Sequence, residues 1–436
     1  MSRLDLPVGI GRVPLASPAL DLMRAEEVGS SGWWQWIAAT GTPLHLPGAV
    51  DGTEVLVFLY RDGQAGGAYV DLIGLTDRED LSTGAMDRVA GTDVWCAAFG
   101  VPSDFVGSYS LISHDAPLVS PGPRDTDEAR AWWVSVLATA RPDPLGTGAA
   151  FAGLRDGRRS IASASASAGA GAAAPRARCS STAPMRGELV ATTWRRPDVD
   201  RDQRVWVYVP TARPGEVVAL AVVFDGQVWS AGVPLLPVLD ELIDDGALPA
   251  TAAVLLDSGT PDERRDDLTC RGTFIDAIAD DLIPGLVSSV LSARGLVATR
   301  DPGATVVGGQ SYGGLAAFYA PIHRPDRFGA SLSQSGSFWW PDLQDTSTRR
   351  VATWLRTAPP RTARAVIQVG LFEGDLTEAN REVAALVTDR GEWLRFTEVP
   401  GGHDWAWWGV RFGAGLVELL GDRGVVRGAS AGGSST

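Results

Sequence analysis

The 436-residue sequence contains no lysine, and all 38 of its basic residues are arginine. Any anionic ligand must therefore be met by guanidinium groups, which suit planar, bidentate partners. Cysteine is scarce: Cys96, Cys179 and Cys270 are far apart, odd in number and outside any C-x-x-C spacing. That excludes a disulfide framework and a zinc site of the usual spacing, and predicts buried or inert thiols. The four histidines (His45, His114, His323 and His403) are scattered and never form H-E-x-x-H, which removes the usual sequence sign of a hydrolytic metal. If the chain hydrolyses something, side chains must do it, with no metal and no cofactor. No stretch approaches the roughly 20 apolar residues of a membrane span. The opening Met-Ser-Arg-Leu-Asp-Leu-Pro has no apolar run followed by a small-residue cleavage site. We therefore read a cytoplasmic chain with no membrane partner. A formal net charge of -14 argues against nucleic-acid binding, which needs a basic footprint.

With 45% hydrophobic residues the chain can bury a sizeable core, and its length fits two domains. Arg159 to Ser181 includes a run of alternating Ala, Ser and Gly with too little bulky apolar surface to offset chain entropy. This places a low-complexity linker over 156–183, between domains at 1–155 and 184–424, with a disordered tail at 425–436. Before the linker, the runs starting at Glu54, Ala68 and Gly107 are short, rich in branched and aromatic residues and separated by turn signals, as in a small β-sandwich. After it, apolar runs beginning at Val217, Ala252, Ala304, Ala330, Ala365 and Arg395 alternate with helical stretches at Phe274–Leu291, Leu315–His323, Leu376–Thr388 and Trp407–Leu420. Such alternation predicts a mostly parallel, doubly wound α/β sheet, with Glu188–Trp194 and Arg204–Val209 as an antiparallel edge.

Within the second half, Gly309-Gln-Ser311-Tyr-Gly313 fits G-x-S-x-G, with a buried-strand pattern before it and a helical one after it. That is the context of a nucleophile elbow in an α/β-hydrolase, and it nominates Ser311 over a plain turn serine. The pentapeptide recurs at Gly428-Ala-Ser430-Ala-Gly432, where neither a strand nor a helix pattern surrounds it. A serine needs a base, and the order Ser, acid, His leaves only histidines beyond Ser311. His323 ends the helix after the elbow and reads as a charge partner for its carboxyl end. His403 lies in Val399-Pro-Gly-Gly-His-Asp-Trp, a glycine-rich loop between the last strand and the last helix, and is the candidate base. The acid follows the preceding strand, where Glu373 and Asp375 both qualify. Asp404 reads as the N-cap of the final helix. An oxyanion hole would combine the amide of Tyr312 with that of Gly226 or Gln227, although Asp225-Gly226 is equally a plain turn.

These residues together resemble the enterochelin esterase family, which cleaves catecholate siderophore lactones inside the cell to release iron. Gly308-Gly-Gln-Ser-Tyr-Gly-Gly-Leu, Arg324-Pro-Asp-Arg-Phe-Gly, Ser333-Gln-Ser-Gly-Ser-Phe-Trp-Trp340 and Gly401-Gly-His-Asp resemble its esterase domain. Met86-Asp-Arg-Val-Ala-Gly-Thr-Asp-Val-Trp95, Gly107-Ser-Tyr109 and Asp143-Pro-Leu resemble its amino-terminal immunoglobulin-like domain. The resemblance implies Ser311 and His403 as catalytic residues and moves Glu373 ahead of Asp375 as the acid. Arg264 to Arg271 resembles the family's Arg-x-x-Glu-Leu strip facing the substrate, with Asp267 where Glu is usual. The expected substrate contacts are Arg264, Arg265 and Arg271, whose alternative is a solvated loop face, with Trp339, Trp340 and Trp408 stacking on catechol rings. The expected partner is a small-molecule siderophore, its iron belonging to the substrate. Two rivals are a related ester hydrolase or acyltransferase, and a catalytically inactive binding protein.

Overall fold

The structure, a computed structural model, describes residues 6–14, 27–78, 80–119, 126–147, 151–152, 158–164, 185–231, 233, 235–342 and 345–422. They form two units. The first takes the described residues up to 164 together with Gly370–Gly374 and Val399–Trp407, and the second takes the remainder. Two short segments of the later half of the chain are thus built into the first unit, which the linear domain boundaries did not foresee.

The first unit holds two antiparallel sheets. One has the order β1 (Gly11–Val13), β6 (Val94–Pro102), β3 (Thr53–Arg61), β2 (Leu44–Pro47), with β5 (Asp87–Arg88) also on β6. The other has the order β4 (Gly67–Leu72), β7 (Val106–His114), β9 (Arg158–Ser163), β8 (Phe151–Ala152). Strand β3 is buried on both faces, and its period of two explains how. Leu56 and Phe58 join Phe99, Tyr109 and Leu111 in one core cluster. Val55, Val57 and Leu59 point the other way, onto Trp33, Trp34 and Ile37 of helix α1 (Ser31–Thr40). Ser30 caps that helix by accepting from the Trp33 amide, and Gly41 ends it at φ 83°.

Strand β9 corrects the expected linker, whose first residues are strand. It pairs with β7 from Val106↔Ser163 to Tyr109↔Ser160. Its composition looks too weak to fold because Arg159 occupies an interior position; the guanidinium is stabilised there by Asp71 of β4 and by serines of β7 rather than by apolar contacts. The rest of the Ala/Ser run, Cys179, and the tail with Ser430 lie outside the described residues.

The second unit is built on one sheet. Its order is β10 (Glu188–Arg196), β11 (Arg201–Val209), β13 (Thr251–Leu256), β12 (Val217–Val223), β15 (Thr305–Gln310), β16 (Ala330–Gln334), β17 (Arg364–Gly370), β18 (Leu394–Val399), with β14 (Val297–Ala298) on β12. β10 and β11 form the expected antiparallel edge, and β13 through β17 run parallel. One face packs the apolar strand positions Leu220, Val222 and Val307 on Phe274, Ile278 and Leu282. On the other face a Cβ at Gly308 would stand 2.5 Å from the Phe412 ring, and one at Gly415 would stand 2.5 Å from Leu332. Helix α6 (Trp405–Leu420) can lie this close only because those positions are glycine. Further helices include α2 (Asp127–Leu137), α3 (Pro261–Leu268), α4 (Tyr312–His323) and α5 (Asp375–Asp389). The predicted single helix Phe274–Leu291 is instead α-helical over Gly272–Ala277, π-helical over Ile278–Val287 and α-helical again over Ser288–Ser292. Pro284, which has no amide proton to donate, sits inside the π segment. Among the described residues no helix is long and apolar enough to cross a membrane.

Candidate active site

Strand β15 ends at Gln310, helix α4 begins at Tyr312, and Ser311 is the single residue between them. Its backbone, at φ 59° and ψ -120°, lies where L-residues rarely go, at a cost of about 1–3 kcal/mol. The neighbourhood holds it there. The Ser311 amide donates to the Gln334 carbonyl at 3.0 Å, and its own carbonyl accepts from the amides of Leu315 and Ser337, each at 3.0 Å. The Ser311 and Ser337 hydroxyl oxygens are 3.4 Å apart. A Cβ at Gly309 would lie 2.6 Å from the Gly313 carbonyl, so the first glycine of the motif is required by the tightness of the turn. Asp225 after β12 and Ser335 after β16 also have positive φ, 57° and 48°.

A row of glutamines underlies this elbow. Gln310, Gln334 and Gln368 sit in register on β15, β16 and β17. The Gln310 amide donates to the Gln334 side-chain carbonyl at 2.8 Å, and the Gln334 amide donates to that of Gln368 at 2.8 Å. Gln334 also donates to the Trp408 carbonyl at 3.0 Å and Gln368 to that of Arg411 at 3.4 Å, tying the three strand ends to helix α6. This ladder escaped the sequence reading, although a Gln near the end of three successive strands was there to see.

The acid and the imidazole lie in the two segments of the first unit. Glu373 is 3% exposed. One of its oxygens accepts from the Gly370 amide at 2.7 Å, and the other is 2.6 Å from Nδ1 of His403. Of the two carboxylates left open by the residues, Glu373 meets the ring, whereas Asp375 opens helix α5 as a first-turn acid. Phe372 anchors the Glu373 segment in the sheet core, 6.4 Å from the Phe105 ring. Asp404 caps α6 as expected, accepting from the Ala406 amide at 3.0 Å. His323 lies 3.1 Å from Asp276 and 3.2 Å from the Tyr319 hydroxyl, as a local charge partner at its helix end.

The expected substrate contacts divide. The guanidinium of Arg264 on α3 makes a two-pronged pair with the buried Asp225 carboxylate, both bonds 2.7 Å, and reaches the Gln310 carbonyl at 3.3 Å. Asp225 also accepts from the Ser258 hydroxyl at 2.6 Å. Burial alone would lower the Arg264 pKa, but the Asp225 charge raises it above the ordinary guanidinium value. A buried carboxylate at a positive-φ turn needs such a counter-ion, so Arg264 braces the base of the elbow. Arg271 shares Asp267 with Arg196 and Arg201, at 3.3 Å from its own nitrogen. Arg265 is exposed and pairs loosely with Asp262 at 3.3 Å. Trp408 is buried, with its indole N–H donated to the Ser335 hydroxyl at 3.0 Å, because α6 packs it against the sheet. Trp339 and Trp340 are half-buried; Trp339 stands 5.9 Å from the Tyr312 ring, and Arg350 stacks over Trp340. Tyr312 begins α4, and Gly226 and Gln227 begin the short helix Gly226–Ala231. Their parent strands β15 and β12 are hydrogen-bonded neighbours, so both amide ends emerge at adjacent strand termini. The Gln227 side chain accepts from the Ser258 amide at 3.1 Å. Among the described residues no group of three or more His, Cys, Asp or Glu is placed to hold a metal ion.

The second unit has a strained serine between a parallel strand and a helix, and the first has a buried carboxylate on an imidazole; both are features found in serine esterases. Comparison with known proteins agrees. The family model "Putative esterase" matches residues 197–419, and "Enterochelin esterase, N-terminal" matches residues 55–178. The iron(III) enterobactin esterase of Dickeya dadantii is 31% identical over 430 residues, covering 91% of this chain and 95% of that protein. That of Escherichia coli K12 is 31% identical over 414 residues, covering 91% and 98%. Among solved structures, the ferric enterobactin esterase of Salmonella typhimurium has a TM-score of 0.77 at 29% identity, covering 89% of this chain and 98% of that one. The Shigella flexneri enterobactin esterase in the presence of enterobactin has a TM-score of 0.75 at 29% identity, covering 90% and 98%. The chain belongs to the enterochelin esterase family.

Proposed function

We propose that the chain hydrolyses the lactone ester bonds of a catecholate siderophore of the enterobactin type, free or ferric, inside the cell, and so releases iron. The relatives' names and the structure obtained in the presence of enterobactin support that substrate class. In this reading the second unit is an α/β-hydrolase domain and the first an immunoglobulin-like sandwich, supported by the doubly covered parallel sheet and the two antiparallel sheets over one core.

The observation that carries the mechanism is the bond between the buried Glu373 carboxylate and Nδ1 of His403. The ionised carboxylate holds the ring as the Nδ1–H tautomer, so the basic nitrogen is Nε2. Ser311 Oγ attacks the ester carbonyl as Nε2 takes its proton. The oxyanion that forms accepts from the Tyr312 amide and from that of Gly226 or Gln227. Collapse breaks the ester C–O bond, and His403 returns the proton to the departing serine hydroxyl of the trilactone. Water, deprotonated by His403, then attacks the acyl-Ser311 carbonyl; the bond to Ser311 Oγ breaks as His403 returns the proton to that oxygen, and the acid is freed. No resident cofactor enters; iron is cargo. Trp339 and Trp340 offer faces for catechol rings, and Arg265, the most exposed of the three arginines, offers a charge to the anionic complex.

Ser311→Ala should abolish hydrolysis of a catecholate trilactone while the thermal melt stays close to wild type. Normal turnover by that variant would place the nucleophile elsewhere. Wild-type turnover on short p-nitrophenyl esters that exceeds turnover on the trilactone would instead favour a general esterase.

A further inference from the structure

The mechanism uses nothing from strands β4, β7 and β9, yet these carry a chain of buried polar groups that ends one residue from His403. Asp71, Ser108, Arg159 and Asp404 are each no more than 4% exposed. Asp404 accepts from the Ser108 amide and, at 2.9 Å, from the Ser108 hydroxyl. That hydroxyl accepts from Arg159 Nε at 3.0 Å. Arg159 donates on to the Asp71 carboxylate at 2.9 Å and the Asp71 carbonyl at 2.6 Å, and Arg78 closes the chain on Asp71 at 3.0 Å.

An N-cap alone does not require this. One carboxylate oxygen accepting from the Ala406 amide at the surface would cap helix α6 at no desolvation cost. Asp404 is instead buried, and burial pushes its carboxyl pKa up against the pull of the Ala406 amide, Arg159 and Ser108. Asp71 goes the other way: burial would raise it, but Arg159 and Arg78 hold it below the ordinary value of 3.8. Burying two carboxylates is expensive and is compensated only by fixed donors, so the arrangement stands in one geometry or not at all.

The other side of His403 is fixed as well. A Cβ at Gly402 would lie 2.6 Å from the Gly74 Cα, so backbone rests on backbone just after β4. The Val106 amide donates to the Pro400 carbonyl at 3.2 Å, and the Phe372 amide of the Glu373 segment donates to the Gly401 carbonyl at 3.0 Å. The backbone on either side of the imidazole is therefore set from the sheet strands.

We propose that Ser108, oriented by Arg159 and Asp71, is a positioning residue for the general base and sets the stance of His403 through the Asp404 carboxylate. The proposal rests on His403 being that base. A shift of about 1 Å in such a group can cost on the order of 100-fold in rate, so loss of one hydroxyl bond in the chain should be visible.

The test is steady-state kinetics of the full chain on enterobactin, with thermal melts and the rate of fluorophosphonate labelling. Ser108→Ala is expected to lower kcat by about 10-fold or more, with KM within about two-fold, because substrate binding is untouched and proton transfer is not. Labelling should slow by the same factor, and Ser108→Thr, which restores the hydroxyl, should recover most of both. Wild-type kcat in Ser108→Ala beside an inactive His403→Ala would overturn the positioning role alone. Full activity in His403→Ala would overturn the underlying reading. A lowered melt with unchanged kcat and labelling rate would reduce the chain to a stability feature and also overturn the proposal.

Discussion

Glu373 and Asp375 stand two residues apart, and both are carboxylates at the start of a helix, but they face different demands. Gly370 donates its amide to Glu373 at 2.7 Å, which orients that carboxylate toward the ring of His403. Asp375 belongs to the first turn of α5. Glu373→Gln keeps the shape but favours the wrong imidazole tautomer, so kcat should fall by roughly 1,000- to 10,000-fold. Asp375→Asn should leave kcat within about two-fold, since a change away from buried partners rarely exceeds ~0.5 kcal/mol. Equal losses, measured on the same trilactone, would contradict the assignment. At this scale the strand–turn–helix setting of Ser311 and the loop holding His403 between the last strand and last helix were legible, because an elbow needs a fixed local pattern. The partners of Arg264 and Trp408 were not legible, because sequence shows charge and aromaticity but not what they meet: a buried Asp225 in one case and Ser335 in the other.

The elements were legible wherever apolar period and turn chemistry agreed. β12, β13 and β15 through β18 fall within a few residues of the expected runs, as do β10 and β11. The glutamine ladder was not, because its meaning depends on the register of three strands, which no local pattern sets. Gln334 is its central member. Gln334→Leu would leave the Gln310 amide without its acceptor and the Gln368 carbonyl without its donor, both buried. At about 1–3 kcal/mol per stranded group, the melting temperature should drop by at least roughly 4 °C. An unchanged melt would show that the ladder repacks. Helix α1 was also missed; its role appears only once β3 is seen to need cover on its second face. β9 shows the converse error, a strand of Arg, Ser and Ala that reads as linker because its partners are buried ions.

For the molecule as a whole, composition limits more than it assigns: an acidic chain without lysine must meet anionic ligands through arginine. What composition could not show is that the chain is not divided as its sequence is. The segments carrying Glu373 and His403 belong to the same compact unit as the amino-terminal sheets, and the hydrogen-bonded pair Ser108 and Asp404 is separated by 296 positions. The central claim remains that one alcohol, Ser311, takes the acyl group. Its most direct test is mass spectrometry of the full chain titrated with a fluorophosphonate, with hydrolysis of the trilactone followed in parallel. The account predicts one adduct per chain, on the peptide containing Ser311, with activity lost in proportion to labelling. An inhibited chain whose adduct lies on another residue, or a chain fully labelled at Ser311 that still hydrolyses the trilactone, would contradict it.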